Sequence, residues 1–428
     1  MSPQDTNALE IGVAAQEVVF SKPELLTPTG MGRLGPTLGT LQPPRMEAMA
    51  VRAGGELAVI TTGDLRTIPY EWIVRMRREI AERIGCDEQR VLFSGDHNHC
   101  FNPIAYGDSP EAAQAAEAAD DQIQQTIIDV AVRAVERLAP AEIAATTIEL
   151  SETIGQCRRA LVSNGTAVSA WGSHPAAIWG VKIAAPGGPD PTTVGLVAIR
   201  RPGETAPVAV LVNYDSHPHL CGLRYFSGEN PGGIKRRIER LVPGATCLYT
   251  HGTGGNIDMH CIHPMPDDED DQRAWFERSI ETIAERMAND VVPALDGMTY
   301  HRPDRLTHAY WSTEAESTDQ KRRMVILNAI GVGEVAFVSM PGEMFLEFGL
   351  EIRGRSPFDE TVLMGYNGSR QGYVAKPIGY EQGSYETMRG PSTSREEEDV
   401  RKPVIRARVE TGDEVTAEIL RLLDRLRG

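Results

Sequence analysis

The sequence predicts a mixed α/β fold: a single large domain in which a mixed central sheet is flanked by helices. Strand-like apolar runs alternate with segments of helical periodicity along the whole chain. The chain has 428 residues, of which 41% are hydrophobic, and is therefore long enough to bury a large core. Neither an internal repeat nor a linker of shifted composition interrupts the pattern. We therefore expect one domain over residues 1–428.

Three apolar runs are typical of buried strands. They are ELAVITTGD (56–64), APVAVLVNYDSHP (206–218) and GEVAFVSMPGE (333–343). Each run ends in polar or glycine-containing sequence. We therefore expect each strand to deliver functional groups to an edge of the sheet.

Four segments have the three- and four-residue spacing of amphipathic helices. One follows Pro69, and a longer one begins at Ser109-Pro110, a helix cap followed by proline in the first turn. The other two lie around residues 276–291 and 415–426. The apolar positions predicted to face the core are Ile73, Met76, Ile80, Ile84, Ile123, Ile127, Ala131, Leu138, Phe276, Ile280, Ile283, Met287, Val291, Val415, Ile419, Leu422 and Leu426.

Charge and composition exclude several classes of function. Lys and Arg number 43 against 60 Asp and Glu, and a net charge of -17 argues against nucleic-acid or anionic-membrane partners. No apolar run approaches the ~20 residues of a membrane helix, and the start lacks a signal-peptide pattern. The six cysteines are far apart, which favours reduced thiols. We expect a cytoplasmic protein that acts on a small molecule.

Histidines and a carboxylate follow three of the predicted strands. His97 and His99 follow RVLFSG, and because residues two apart in extended chain point the same way, both rings can approach one point. His217 and His219 end the second run, and Glu343 follows a Pro-Gly turn. Two imidazoles and a carboxylate form a common ligand set for catalytic zinc. Taken singly, the histidines suit other roles, and Glu343 suits the first turn of a helix.

A second histidine-rich stretch offers a rival metal site. THGTGGNIDMHCIH contains His251, His260, Cys261 and His263, with a loosely metal-like spacing. The strand-end set is the preferred prediction, and the rival stays open at this point.

The motifs resemble those of neutral (alkaline, non-lysosomal) ceramidases, zinc-dependent amidases that cleave the N-acyl bond of ceramide. The resemblance runs in order through nearly the whole chain: GDHNHC, SHPH, MPGE, and GYVAKPIGYEQGSYE with its three tyrosines. It implies the mixed α/β fold of that family's catalytic domain, without the family's C-terminal immunoglobulin-like domain, and a bound Zn2+.

The resemblance also implies roles for individual residues. It implies four zinc ligands: His97, His217, Glu343 and Tyr373. His99 would contact the zinc-bound water or the substrate, Tyr385 would hydrogen-bond the scissile carbonyl, and Arg159 would bind substrate. Further predicted substrate contacts are Asn256, Tyr380 and His219.

Two positions depart from the family pattern. Asp258 stands where the family has a serine regarded as catalytic or substrate-orienting, and Glu229 replaces an aspartate. Since a carboxylate cannot form a serine acyl-enzyme, the chemistry would rely on zinc-activated water. Asp258 would act as a second acid/base or would bind a cationic or hydroxyl-bearing substrate.

The sequence thus predicts a zinc-dependent hydrolase of a soluble amide rather than of ceramide. One alternative is a zinc-dependent lyase or isomerase acting on a sugar or polyol, with Asp258 taking a proton. Another is a metal-binding protein without catalysis. A homo-oligomer is a further expectation.

Overall fold

The computed structural model describes residues 8–29, 35–169, 183–218, 224–259, 266, 268–316, 321–368, 372–387 and 407–428. Its helices are α1 (Tyr70–Ile84), α2 (Pro110–Glu136), α3 (Glu229–Leu241), α4 (Glu269–Leu295), α5 (Leu346–Arg355), α6 (Pro377–Gln382) and α7 (Thr411–Arg427), with short 3-10 turns at Pro23–Leu25 and Glu88–Arg90.

The strands are short and numerous. In chain order they are β1 (Glu10–Glu17), β2 (Leu26–Pro28), β3 (Gly39–Gln42), β4 (Arg45–Ala53), β5 (Glu56–Gly63), β6 (Val91–Gly95), β7 (Pro103–Ala105), β8 (Ala139–Pro140), β9 (Glu142–Glu149), β10 (Gly155–Cys157), β11 (Arg159–Val162), β12 (Ala167–Ser169), β13 (Ile183–Pro186), β14 (Thr193–Arg200), β15 (Pro207–Tyr214), β16 (Tyr225–Ser227), β17 (Thr246–His251), β18 (Ile257–Met259), β19 (Leu306–Glu316), β20 (Arg322–Val332), β21 (Val335–Ser339), β22 (Glu343–Met344), β23 (Glu360–Met364) and β24 (Tyr373–Val374).

Three larger sheets organise the described residues, in place of the one central sheet that the sequence predicts. Their strand orders are β6-β5-β4-β1-β8, β17-β15-β14-β9 and β19-β20-β21-β23. Each sheet is mixed, because antiparallel pairs are joined by one parallel pair: β5 with β6, β15 with β17, and β21 with β23. The predicted α/β class is confirmed.

Helices cover the outer faces of the sheets, and the inner faces share a core. The first sheet packs on α1 and α2, the second on α3 and α4, and the third on α5 and α7. The shared core joins apolar residues of all three sheets, including Ile60, Leu211 and Phe337, each 0% exposed. Along each strand, residues that face this shared core alternate with residues that face the helices. Both faces of every sheet are therefore buried.

The predicted helices form where the apolar spacing places them. The hydroxyl of Ser109 caps α2 by accepting a hydrogen bond from the backbone N–H of Ala112 at 3.1 Å. The left-handed Gly85 ends α1. None of the helices among the described residues is long and apolar enough to span a membrane.

Two predicted strands are shorter than the sequence indicates. Within the main sheets, the second apolar run pairs only as far as Tyr214, and the third only as far as Ser339. His217 and Glu343 therefore lie beyond the ends of β15 and β21, in segments free of the regular ladder of the main sheets. That position allows their side chains to turn toward a common point.

Candidate metal centre

The carboxyl ends of the three parallel pairs meet at one place. His97 follows β6, His217 follows β15, and Glu343 follows β21, so each of the three larger sheets contributes one side chain. Loops at the carboxyl ends of parallel strands are the usual location of binding sites in α/β sheets. One ligand atom from each of these residues lies within 4.8 Å of the other two.

Both imidazoles direct the same ring atom to the same carboxylate. Nε2 of His217 lies 3.1 Å from Oε2 of Glu343, and Nε2 of His97 lies 3.8 Å from that oxygen. The two histidine rings are 4.9 Å apart, centroid to centroid. Both rings are buried, with 4% of His97 and 1% of His217 exposed.

The other ring nitrogen of each histidine fixes its tautomer. Nδ1 of His217 lies 2.7 Å from the carbonyl oxygen of Gly254 and 3.0 Å from that of Ile257. Nδ1 of His97 lies 2.8 Å from the carbonyl oxygen of Arg66. A carbonyl only accepts hydrogen bonds, so each Nδ1 carries the proton. In the neutral ring, Nε2 therefore presents a lone pair to the carboxylate of Glu343.

Two acceptors that face each other across this distance require a cation or a proton between them. Burial lowers the pKa of His97 well below its usual range, so this ring is neutral at neutral pH. Histidines that bind metals commonly donate the second ring N–H to a backbone carbonyl, as both do here. The donor set thus fits a divalent metal ion.

The loop 251–255 supplies the carbonyl that holds His217. Gly254 approaches its neighbours so closely that a Cβ atom there would lie 2.5 Å from the His251 ring and 2.6 Å from the backbone nitrogen of Ser216. Only glycine allows this approach. Asp215 fixes the same loop, because its Oδ1 accepts hydrogen bonds from the backbone N–H and the hydroxyl of Thr253.

Tyr373 lies beside Glu343 because their short strands pair. β22 and β24 are parallel, with Glu343 and Tyr373 in register. Burial, reinforced by the negative charge of Glu343, raises the pKa of Tyr373 well above its ordinary value. The phenol is therefore protonated unless a nearby cation favours the phenolate.

A fully buried arginine, Arg158, reaches this tyrosine. Its Nη2 donates to the Tyr373 hydroxyl at 3.0 Å and its Nη1 to Oδ1 of Asp258 at 3.0 Å. Its Nε donates to Oε1 of Glu386 at 2.8 Å. Asp258 in turn is joined to His217 by a parallel β-bridge. This network connects the metal centre to Asp258.

Comparison with known proteins bears on the fold. No family model matches the sequence, and no curated protein matches it. The crystal structure of neutral ceramidase from Pseudomonas aeruginosa is similar over 99% of this chain and 75% of that chain, with a TM-score of 0.72 and 13% sequence identity. A ceramidase complexed with C2 is similar over 98% of this chain and 75% of that chain, with a TM-score of 0.71 and 12% identity.

The chain has a neutral-ceramidase-like fold. The resemblance read from the motifs is confirmed at that level. At 12–13% identity the similarity establishes the fold alone.

Within this ceramidase-like fold, Arg159 has a different environment from Arg158. Its guanidinium donates to Oε2 of Glu386 at 2.9 Å and to the carbonyl oxygens of Gly379 and Gly383. It also lies over the ring of Phe345. The predicted substrate contact of Arg159 stays a prediction. The residue that hydrogen-bonds Tyr373 is Arg158, which sequence reasoning passed over.

Two other predicted substrate contacts also bond within the fold. The amide of Asn256 accepts from the backbone N–H of Leu346 at 2.9 Å and donates to Glu347 at 3.0 Å, which fixes the start of α5. The Tyr380 hydroxyl donates to the carbonyl of Ala407 at 2.7 Å. The third, His219, lies outside the described residues.

Residues next to the metal centre include two predicted catalytic groups. The ring of His99 lies 4.7 Å from that of His97, and its backbone N–H donates to Oε2 of Glu229 at 2.7 Å. The ring of Tyr385 lies 5.6 Å from that of Tyr373. The rings of His99 and Tyr385 are thus direct neighbours of the proposed ligands His97 and Tyr373.

One member of the rival histidine site belongs to the same cluster. The His251 ring is buried, 5.6 Å from the ring of His217 and 6.3 Å from that of His97. His260, Cys261 and His263 lie outside the described residues. Sequence reasoning also missed Tyr366, which stacks on His97. The available signal was the GYNG sequence (365–368) after β23, and it is weak without the fold.

Proposed function

We propose that the chain is a zinc-dependent hydrolase that cleaves the C–N bond of a water-soluble amide. The observation that carries the proposal is the pair of Nε2 atoms, of His97 and His217, directed at one oxygen of Glu343. The neutral-ceramidase-like fold supports an amide as the bond cleaved.

The dimensions of the site suit zinc. Tetrahedral ligands at ~2.0–2.1 Å from zinc are separated from each other by roughly 3.3 Å. The two distances to Glu343, 3.1 and 3.8 Å, lie on either side of that value. Tyr373 would be the fourth protein ligand, and the hydrogen bond from Arg158 would stabilise its phenolate.

When bound, zinc supplies Lewis acidity that polarises a carbonyl and makes water a nucleophile at neutral pH. The chain's own residues handle protons and orientation. His99 would accept the proton of the attacking water, a role suited to an imidazole. Tyr385, beside Tyr373, would donate a hydrogen bond to the carbonyl oxygen as it gains negative charge.

The environment of Asp258 favours a polar substrate over an apolar one. It is buried, bonded to Arg158, and occupies the position at which the family resemblance places a serine. A carboxylate there would bind a hydroxyl or ammonium group of the substrate more favourably than an acyl chain, since an apolar group leaves a buried charge without a new partner. The same residue rules out a serine acyl-enzyme at this position.

Asp258 also favours one alternative. As a proton acceptor beside the metal centre, it suits a lyase or isomerase acting on a sugar or polyol, where a proton next to a carbonyl is removed. A metal-binding protein without catalysis is the remaining alternative, because the serine position is altered.

Product analysis distinguishes these functions. The zinc-loaded protein is incubated with a panel of N-acyl amino alcohols, N-acyl amino acids, esters and sugars, with H217A as control. Equimolar release of carboxylate and amine, absent from H217A, supports the hydrolase. An unsaturated or isomerised product instead supports the alternative enzyme, and full zinc occupancy with no turnover on any panel member supports the non-catalytic protein.

A further inference from the structure

Tyr366 occupies an unusual backbone position beside the metal centre. It follows β23 with a φ of 56°, in the left-handed region that bulky residues rarely adopt. His97, which it contacts, also has a positive φ, of 64°. Strained conformations of this kind persist only where the surrounding structure enforces them, and they concentrate at functional sites.

Its two neighbours in sequence are held firmly. The backbone N–H of Gly365 donates to the carbonyl of His251 at 2.7 Å, and the carbonyl of Gly365 accepts from the hydroxyl of Ser94 at 3.0 Å. On the other side, the amide side chain of Asn367 donates to the carbonyl of Ile326 at 2.7 Å. The chain is therefore fixed on both sides of Tyr366, which keeps its side chain in one place.

The ring of Tyr366 packs flat on a proposed metal ligand. Its centroid lies 4.0 Å from that of His97, with 14° between the two planes, and 5.0 Å from that of His251. A ring in this position restricts rotation of the His97 imidazole. The aromatic contact alone, however, would be provided equally well by phenylalanine.

The hydroxyl is the feature that phenylalanine lacks. Tyr366 is 5% exposed, and among the described residues its hydroxyl oxygen has no hydrogen-bond partner. Burying a hydroxyl without a hydrogen-bond partner is costly, so such groups in folded proteins usually bond to a water molecule or a ligand.

We propose that the Tyr366 hydroxyl is a further catalytic group, which donates a hydrogen bond to the substrate carbonyl oxygen as that oxygen becomes negative. This inference rests on the proposed hydrolase function. Tyr366 approaches from the His97 side, whereas Tyr385 lies against Tyr373. Two donors to one developing oxyanion is a common arrangement in hydrolases. No bond other than this hydrogen bond is formed by Tyr366.

The test compares Y366F with Y249F. Tyr249 is also buried and its hydroxyl also has no partner among the described residues, but it lies in the core that joins the second sheet to α3 and α4. Each protein is loaded with cobalt(II) in place of zinc. The binding of acetohydroxamate, which has a carbonyl oxygen and binds metals, is followed by visible absorption, and kcat and KM are measured for any amide that the wild type cleaves.

We expect Y366F to bind one metal ion with an unchanged ligand-free spectrum. Its affinity for acetohydroxamate should fall at least tenfold and its kcat by about 10²–10³, with a smaller change in KM. Y249F should match the wild type. Wild-type hydroxamate affinity and kcat in Y366F would overturn the role of Tyr366 alone, as would loss of metal from Y366F. A wild-type chain that binds no metal would overturn the proposed function as well.

Discussion

The Arg158 guanidinium donates a hydrogen bond of 3.0 Å to the hydroxyl of Tyr373. This contact connects a buried cation to a proposed metal ligand. It also distinguishes Arg158 from the next residue in the sequence, Arg159. Arg159, one residue further on, directs its guanidinium to Glu386 and to backbone carbonyls. The two side chains should therefore respond differently to the same substitution.

Replacing Arg158 by lysine should abolish most activity, whereas the same change at Arg159 should affect stability. A lysine at 158 keeps the charge but cannot donate to Tyr373, Asp258 and Glu386 together. We expect kcat of R158K to fall by about 10² or more, since comparable hydrogen-bond donors in active sites contribute that much. R159K should retain most of its kcat with a lower melting temperature. Kinetics and thermal unfolding of both variants measure this. The reverse pattern would contradict the role of Arg158 and support the substrate contact predicted for Arg159.

Replacing Asp258 by asparagine tests whether its charge binds substrate. The amide oxygen of D258N can still accept the hydrogen bond from Arg158, so the fold should be kept. For a substrate with an ammonium or hydroxyl group we expect a rise of about tenfold or more in KM, with a smaller effect on kcat. For a matched substrate without that group the rise should vanish. Equal effects on both substrates would contradict a binding role.

A buried carboxyl pair behind the metal centre should make stability depend on pH. Burial and the charge of Asp64 raise the pKa of Asp96 well above its usual value. Asp64, despite its burial, has a lowered pKa because Lys235 forms an ion pair with it. The pair therefore holds a proton on Asp96, immediately before the proposed ligand His97, while Asp64 is ionised.

Substitutions of Asp96 and Asp64 should have different effects on stability, because one carboxyl is protonated and the other is ionised. A raised carboxyl pKa stabilises the folded state at low pH, and this contribution is lost as pH rises from about 3.9 through the folded-state value. Because D96N cannot ionise, its free energy of unfolding relative to the wild type should rise with pH, by up to about 1.4 kcal/mol per unit. D64N should lose roughly 1.5–3 kcal/mol, because Lys235 loses its charge-assisted hydrogen bond to Asp64 and keeps the one to Glu47.

Urea unfolding at pH 4.5, 6 and 7.5 measures these differences. D96E, which keeps the ionisable group, is the control for the substitution itself. A constant difference between D96N and the wild type across this range would contradict a protonated Asp96. So would an equal destabilisation of D96N and D64N at neutral pH.

The sequence was informative about the centre because its residues follow strands. An apolar run that ends in a polar motif predicts both a buried strand and a side chain at its carboxyl end. His97, His217 and Glu343 could be found in this way, and the structure brings all three together. The three separate sheets could not be predicted, because strand pairing depends on contacts distant in sequence.

The residues that support the centre were harder to predict. Nothing local distinguishes Arg158 from Arg159 in QCRRALV; the difference is that they lie on successive positions of the extended chain from β10 to β11 and so point in different directions. Tyr366 belongs to no recognisable motif, since its role depends on stacking against a ring 269 positions earlier. Asn256 and Tyr380 belong to the recognised motifs, but their side chains form hydrogen bonds within the fold. Asn256 accepts from Leu346, and Tyr380 donates to Ala407.

The most direct test of the account is metal analysis of the purified protein and of H97A, H217A and E343A. His301, whose side chain is exposed and belongs to no part of the centre, provides the control H301A. We predict one zinc ion per chain in the wild type and in H301A, and a large loss of zinc from each of the other three. Stoichiometric zinc retained by all three ligand variants would contradict the central claim.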